Sequence, residues 1–261
     1  MRELRPIRPP PPIRRDMNIT ANRLPSTSAL AGRTIALEYE DGTALNLAFE
    51  AAKVRWTATA SSATARAGKE AYDAVEVRPG VFFVDYVLAD GCAAFSHVID
   101  IEHGRSLSIA SELIDAAGQC DLRERLSPAK LKGNHDRYEP IAETRELLGK
   151  RLFCEYSAEA ALEHIYANSG TIVWQWLRSP PELALEVGIE AVSMWKIAPR
   201  LYLISTRGED PIQLTLLLDL EQMRNVGRLF GRSAFGLVDR RCGAKITFLG
   251  EFAYPDGYSP G

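Results

Sequence analysis

Cysteine is scarce in this chain and scattered. Cys92, Cys120, Cys154 and Cys242 are the only four in 261 residues, and no two form a Cys-x-x-Cys pair. That spacing suits neither a zinc site nor the disulfide framework of a small secreted domain, and it fits free thiols in a reducing compartment. His97, His103, His135 and His164 likewise lack the short helical spacing of a metal-ligand pair. No apolar run approaches the ~18–20 residues of a membrane span, and the opening MRELRPIRPPPPIRR has no secretory h-region. A cytoplasmic protein away from the membrane is expected. The formal charge of -3 carries no basic excess of the kind that grips phosphate backbones, so nucleic acid is not an expected partner. No nucleophile elbow, P-loop or dinucleotide fingerprint occurs. These absences remove most cofactor-dependent chemistry and leave cofactor-free work on a bound organic molecule, with no metal and a small-molecule ligand as partner.

What the chain does contain is strands. Residues 1–28 read as an arm, because Pro6 and Pro9 to Pro12 favour polyproline II and cannot enter a sheet. A strap lying on a partner subunit, hence a homodimer, is one reading of that arm. From residue 34 the pattern alternates: 34–39 and 45–49 form a hairpin about Glu40-Asp41-Gly42, and 54–59 is a third strand. Residues 61–69 are small and polar, a loop or rim. Strands follow over 71–77, 81–88 and 93–101, the middle one apolar at nearly every position and therefore buried on both faces. Residues 112–140 break the rhythm, and 121–132 are expected to form a short surface helix.

The second half then repeats the first at an offset of about 117–120 residues. Gly32 matches Gly149, Tyr39 matches Tyr156, Trp56 matches Trp174, Pro79 matches Pro199 and Asp100 matches Asp219. Five pairs in near-constant register indicate two copies of one all-β module, spanning 29–135 and 145–255. Short alternating strands with Gly/Pro turns make barrels or sandwiches, and closing a barrel removes the exposed edges that such apolar strands would otherwise present. The expected fold is all-β, with two tandem antiparallel barrels joined by short helical connections. Each barrel is wide enough to hold one small ligand or to fill with side chains.

The N-terminal copy carries GRTIALEYEDG, RPGVFFVDY and HVIDIEHGRSL; the C-terminal copy carries LEHIYANSGTIVWQW, RLYLIST and LLLDLEQMRNVGRLFG. Across both halves these runs resemble the molybdenum-cofactor biosynthesis protein F (MoaF) family, and the resemblance implies tandem lipocalin-like barrels. The C-terminal copy also looks distantly like the phenolic acid decarboxylases, single lipocalin-like barrels. In that likeness Tyr156 keeps the second tyrosine of a Tyr-x-Tyr strand and Cys154 replaces the first. Glu163 and Asn168 fall on the following strand, and Glu209 stands one residue from the family's glutamate.

Alternate residues of a strand share a face, so His164, Tyr166 and Asn168 point one way. An imidazole beside a phenol is a plausible proton-handling pair. The expected catalytic set is therefore His164 and Tyr166, with Tyr156 orienting and Arg207 holding an anionic group. Substrate contacts are expected from Glu209, Asn168, Trp174 and Cys154 in the second barrel, and from Tyr39, Trp56, Asp85 and His97 in the first. Asp85 and His97 interrupt apolar strands and are expected to meet each other. The implied function is cofactor-free lyase, isomerase or cyclase chemistry on a small aromatic or conjugated metabolite. The alternative is a lipocalin-type binding protein with no chemistry.

Overall fold

The computed structural model describes residues 17–60, 63–116, 119–133, 138–181, 186–208 and 210–257. The first barrel runs β1 (Thr34–Tyr39), β2 (Ala44–Phe49), β3 (Lys53–Ala60), β4 (Ala63–Arg78), β5 (Val81–Val87), β6 (Ala93–Asp100), β7 (Arg105–Ala116) and β8 (Gln119–Leu131). Every neighbour is antiparallel, and β8 closes on β1 through Leu37 opposite Leu131. After the short β9 (Ala142–Glu143), the second barrel comprises β10 (Lys150–Glu155), β11 (Ala161–Asn168), β12 (Thr171–Arg178), β13 (Val187–Ala198), β14 (Leu201–Arg207), β15 (Ile212–Asp219), β16 (Arg224–Ser233) and β17 (Gly236–Glu251). Pairing of β12 with β13 and of β10 with β17 closes it, while β9 adds to β13 from outside.

The two barrels pack wall to wall, which explains why β5 and β14 are buried on both faces. Phe82, Val84 and Tyr86 face the first barrel's interior. Val81 and Phe83 face outward with Val75, Val98 and Leu107, against Leu201, Leu203, Leu217 and Val226 of the second. Polar bridges frame this seam. The Arg78 guanidinium donates to both carboxylate oxygens of Asp219, at 2.7 and 2.8 Å. Despite the opposing effect of burial, those bonds and two backbone N–H donors hold the Asp219 carboxyl below the usual range.

Two sequence expectations are corrected. Among the described residues no α-helix occurs, and residues 121–132 belong to β8. Leu122 and Leu126 are four apart, a spacing that satisfies one helix face and one strand face equally. Both lie on the outer face of β8, Leu122 beside Phe230 and Leu126 against the seam. The polar stretch 61–69 is, from residue 63, the first half of the long strand β4; residues 61 and 62 lie outside the described set. Gly68 is needed there because a Cβ would sit 2.7 Å from the Trp56 indole. Residues 17–28 lie over the second barrel and the seam; residues 1–16 and 134–137 lie outside the described residues.

Repeated turns use different chemistry. Gly80 takes φ +74° after Pro79, whereas Arg200 takes φ 58° after Pro199. A left-handed conformation costs a non-glycine residue roughly 1–2 kcal/mol. Arg200 offsets it by donating from Nε and Nη2 to the Leu220 carbonyl at 3.2 and 2.5 Å.

Candidate functional site

The registers superpose the two barrels residue by residue. Leu37 faces Leu45 and Leu47 faces Trp56; in the second barrel Cys154 faces Leu162 and His164 faces Trp174. Each tryptophan lies over a glycine on the next strand, Trp56 over Gly68 and Trp174 over Gly188. A Cβ on Gly188 would stand 2.3 Å from the Trp174 ring. Gly188→Ala is expected to push the indole off Glu190, to which it donates at 2.8 Å, and to cost about 1–3 kcal/mol. A lower urea midpoint with altered tryptophan emission checks it.

The interiors nevertheless differ. In the first barrel a cavity of about 150 Å³ opens at one end, lined by Tyr39, Trp56, Tyr86, Phe95, His97 and Ser108. Asp41, Arg66, Glu112 and Arg125 stand at its polar side. Inside, His97 Nδ1 lies 2.8 Å from Ser108 Oγ, which lies 2.7 Å from the Tyr39 hydroxyl. This chain follows from the hairpin register: β6 and β7 turn at residues 101–104, placing His97 opposite Ser108. The imidazole stacks on Tyr86 with centroids 5.8 Å apart, and its Nε2 has no hydrogen-bond partner among the described residues. Burial lowers the His97 pKa to about 4, so the ring is neutral near pH 7. Burial raises the Tyr39 hydroxyl, partly offset by the Ser108 bond and by Arg125.

In the second barrel the void lined by described residues is smaller, about 50 Å³. His164, Tyr166, Tyr156, Cys154 and Trp174 all face inward, as alternation predicts, but His164 and Tyr166 meet only edge to face, with centroids 6.3 Å apart. Burial drives His164 down to about 4 and both tyrosines well above their ordinary value. Among the described residues His164 Nδ1 and the Tyr166 hydroxyl have no partner, and neither residue lines that void. Asn168 serves the hairpin turn, its Oδ1 accepting from Gly170 N at 2.9 Å. Glu163 faces outward to Arg151 and Gln175.

Two placements overturn expectation. Asp85 does not meet His97. The closed sheet turns Asp85 outward into the seam, where Arg228 donates to it at 2.8 Å and Arg241 at 3.3 Å. Arg207 also faces out of its barrel and donates to the Leu122 carbonyl at 3.1 Å; it is not brought to His164. Glu209 lies outside the described residues. Sequence reasoning missed Ser108, Arg66 and Arg125. Only Ser108 carried a signal, through the count across the 101–104 turn.

Against known proteins, residues 17–115 match the MoaF N-terminal domain and residues 141–252 the MoaF C-terminal domain. The chain belongs to the MoaF family. Its two barrels are thus the two domains of that family, one matched by each half. No curated protein matches the chain. Among solved structures, a Burkholderia vietnamiensis protein named "putative beta-lactamase" shares 21% identity over 42% of this chain and 98% of its own, with a TM-score of 0.33. The DNA polymerase III beta chain of Streptococcus pneumoniae TIGR4 shares 9% identity over 86% of this chain and 80% of its own, with a TM-score of 0.16. Neither of these two likenesses carries an argument about fold or function. For this MoaF-family chain the candidate site is therefore the N-terminal cavity, defined by its own geometry.

Proposed function

We propose that the N-terminal barrel binds a small aromatic or conjugated metabolite and performs cofactor-free proton transfer on it, with His97 rather than His164 as the proton-handling residue. The observation that carries this reading is the His97–Ser108–Tyr39 chain on the wall of the 150 Å³ cavity. A cavity of about 150 Å³ lined by apolar groups accommodates a single benzene-sized ring. Trp56, Tyr86 and Phe95 supply walls for such a ring, and the arginines and carboxylates of the mouth meet its polar substituent. In the tautomer that donates Nδ1–H to Ser108, Nε2 is the free base. A pKa near 4 makes it a weak base in the empty barrel, and an anion developing on the substrate raises its proton affinity.

That same low pKa favours a second reading, binding without chemistry. Titration of benzoate, phenol and benzylamine, followed by tryptophan emission, tests for the binding site and reports which charge its mouth prefers. Ligand that co-purifies, identified by mass spectrometry, supplies the substrate. His97→Ala is expected to lower its turnover by about 10²–10⁴-fold while binding persists. Undiminished turnover removes His97 from the chemistry, and wild-type binding with no turnover establishes the carrier reading.

A further inference from the structure

The first barrel's cavity has a counterpart in the second. Matching registers place Tyr156 at the position of Tyr39, Leu162 at Leu45, Leu214 at Phe95 and Cys242 at Ser127. All four residues of the second barrel line its small void, and their four counterparts line the N-terminal cavity. Two counterparts change the chemistry. Leu216 stands where His97 does and Gly227 where Ser108 does, so the second interior lacks the polar chain.

What fills this mouth is the chain's own amino-terminal segment. Met17 and Ile19 line the same void, are 6% and 4% exposed, and belong to the second barrel's core. Among the described residues two bonds hold them: Gly243 N donates to the Ile19 carbonyl at 3.0 Å, and Arg240 donates to the Met17 carbonyl. The firm attachment comes later. Asn22 N donates to the Tyr156 carbonyl at 3.0 Å, Arg23 and Ser26 bond Asp73 of the first barrel, and Thr27 N donates to the Ala74 carbonyl at 2.7 Å. Between plug and anchor lies a turn in which Asn18 Oδ1 accepts from the backbone of Thr20 and Ala21, each at 3.1 Å. Residues 17–19 can therefore leave the mouth without breaking the anchor at 22–27.

We propose that the C-terminal barrel is a second binding site, for a neutral apolar molecule, and that Met17 and Ile19 occupy it until such a molecule displaces them. This rests on the second barrel alone and does not depend on the reading of the N-terminal cavity. The test uses the full chain with the double substitution Met17→Ala and Ile19→Ala, and 4-fluorotoluene as probe, followed by ¹⁹F NMR. The double variant is expected to bind the probe at least 10-fold more tightly than the wild type. That gain should survive Ala110→Phe, which fills the first cavity, and vanish with Leu229→Phe in the second. Equal affinities in a variant with native near-ultraviolet circular dichroism overturn the proposal, as does a gain abolished by Ala110→Phe. Should the double variant fail to fold, hydrogen exchange of residues 17–21 in the wild type decides. Faster exchange at saturating 4-fluorotoluene supports displacement, and unchanged exchange refutes it.

Discussion

Asp85→Ala is expected to destabilise the protein by about 3–5 kcal/mol, because it removes the fully buried partner of the Arg228 guanidinium in the seam between the barrels. Asp85 is fully buried and the Arg228 side chain is 4% exposed. Arg228 also reaches Asp239, and Arg241 reaches both Asp85 and Asp73, so the cluster joins β5, β4, β16 and β17. Burial pushes the Asp85 carboxyl upward against the pull of Arg228 and Arg241, which is the signature of a costly desolvation only partly offset by its partners. The same cost predicts the outcome of removing both charges. Asp85→Leu with Arg228→Met is expected to recover most of the loss, since well-packed apolar replacements of buried pairs are often neutral or stabilising. Urea unfolding of the two variants checks it. A single-variant loss below about 1 kcal/mol would instead place the pair among solvent-screened bridges.

Acid should destabilise the fold through its two interior histidines. His97 and His164 have pKa values lowered from 6.5 to about 4 by burial. Below pH 6.5 the unfolded chain takes up protons that the folded barrels refuse, so stability falls as pH drops. The loss begins near pH 6.5, steepens toward pH 4 and levels off once the folded imidazoles also titrate. Each site contributes roughly 3 kcal/mol across that window. Asp219, held below its ordinary 3.8, adds its own loss only at lower pH, so the two windows separate. His164→Leu is expected to remove about half of the slope between pH 6.5 and 4, measured as urea midpoint against pH. It should leave the N-terminal site intact, because His164 lies in the other barrel. An unchanged slope in that variant would mean that His164 already titrates normally in the folded state.

Much of the architecture was legible in residues. The alternation of 34–39 and 45–49, the turn at Glu40-Asp41-Gly42 and the doubly apolar 81–87 all read directly as strands. Tyr39, Trp56 and His97, singled out in the sequence, all line the first barrel's cavity. Parity failed where two faces compete. Asp85 and Arg207 sit on strands whose outward face is also buried, and a polar residue there has two apolar-looking destinations. Strand β8 failed for a different reason, since charges on both faces hide a period of two and Leu122 with Leu126 fit a helix as well. Residues 17–19 were read as part of a solvated arm because two apolar side chains beside five nearby prolines give no periodic signal.

The repeat of about 117–120 residues and the strand alternation determined, with no coordinates, that this is a duplicated all-β module of antiparallel strands. Those are local properties, set by steric preference and by which side chains avoid water. Which barrel keeps an open interior was decided only in three dimensions. The difference between a cavity of about 150 Å³ and one of about 50 Å³ depends on His97 and Ser108 against Leu216 and Gly227. It depends equally on whether a distant segment, Met17 and Ile19, comes back to fill the mouth. Volume left unfilled is a sum over contacts far apart in the chain, and no single stretch of residues contains it.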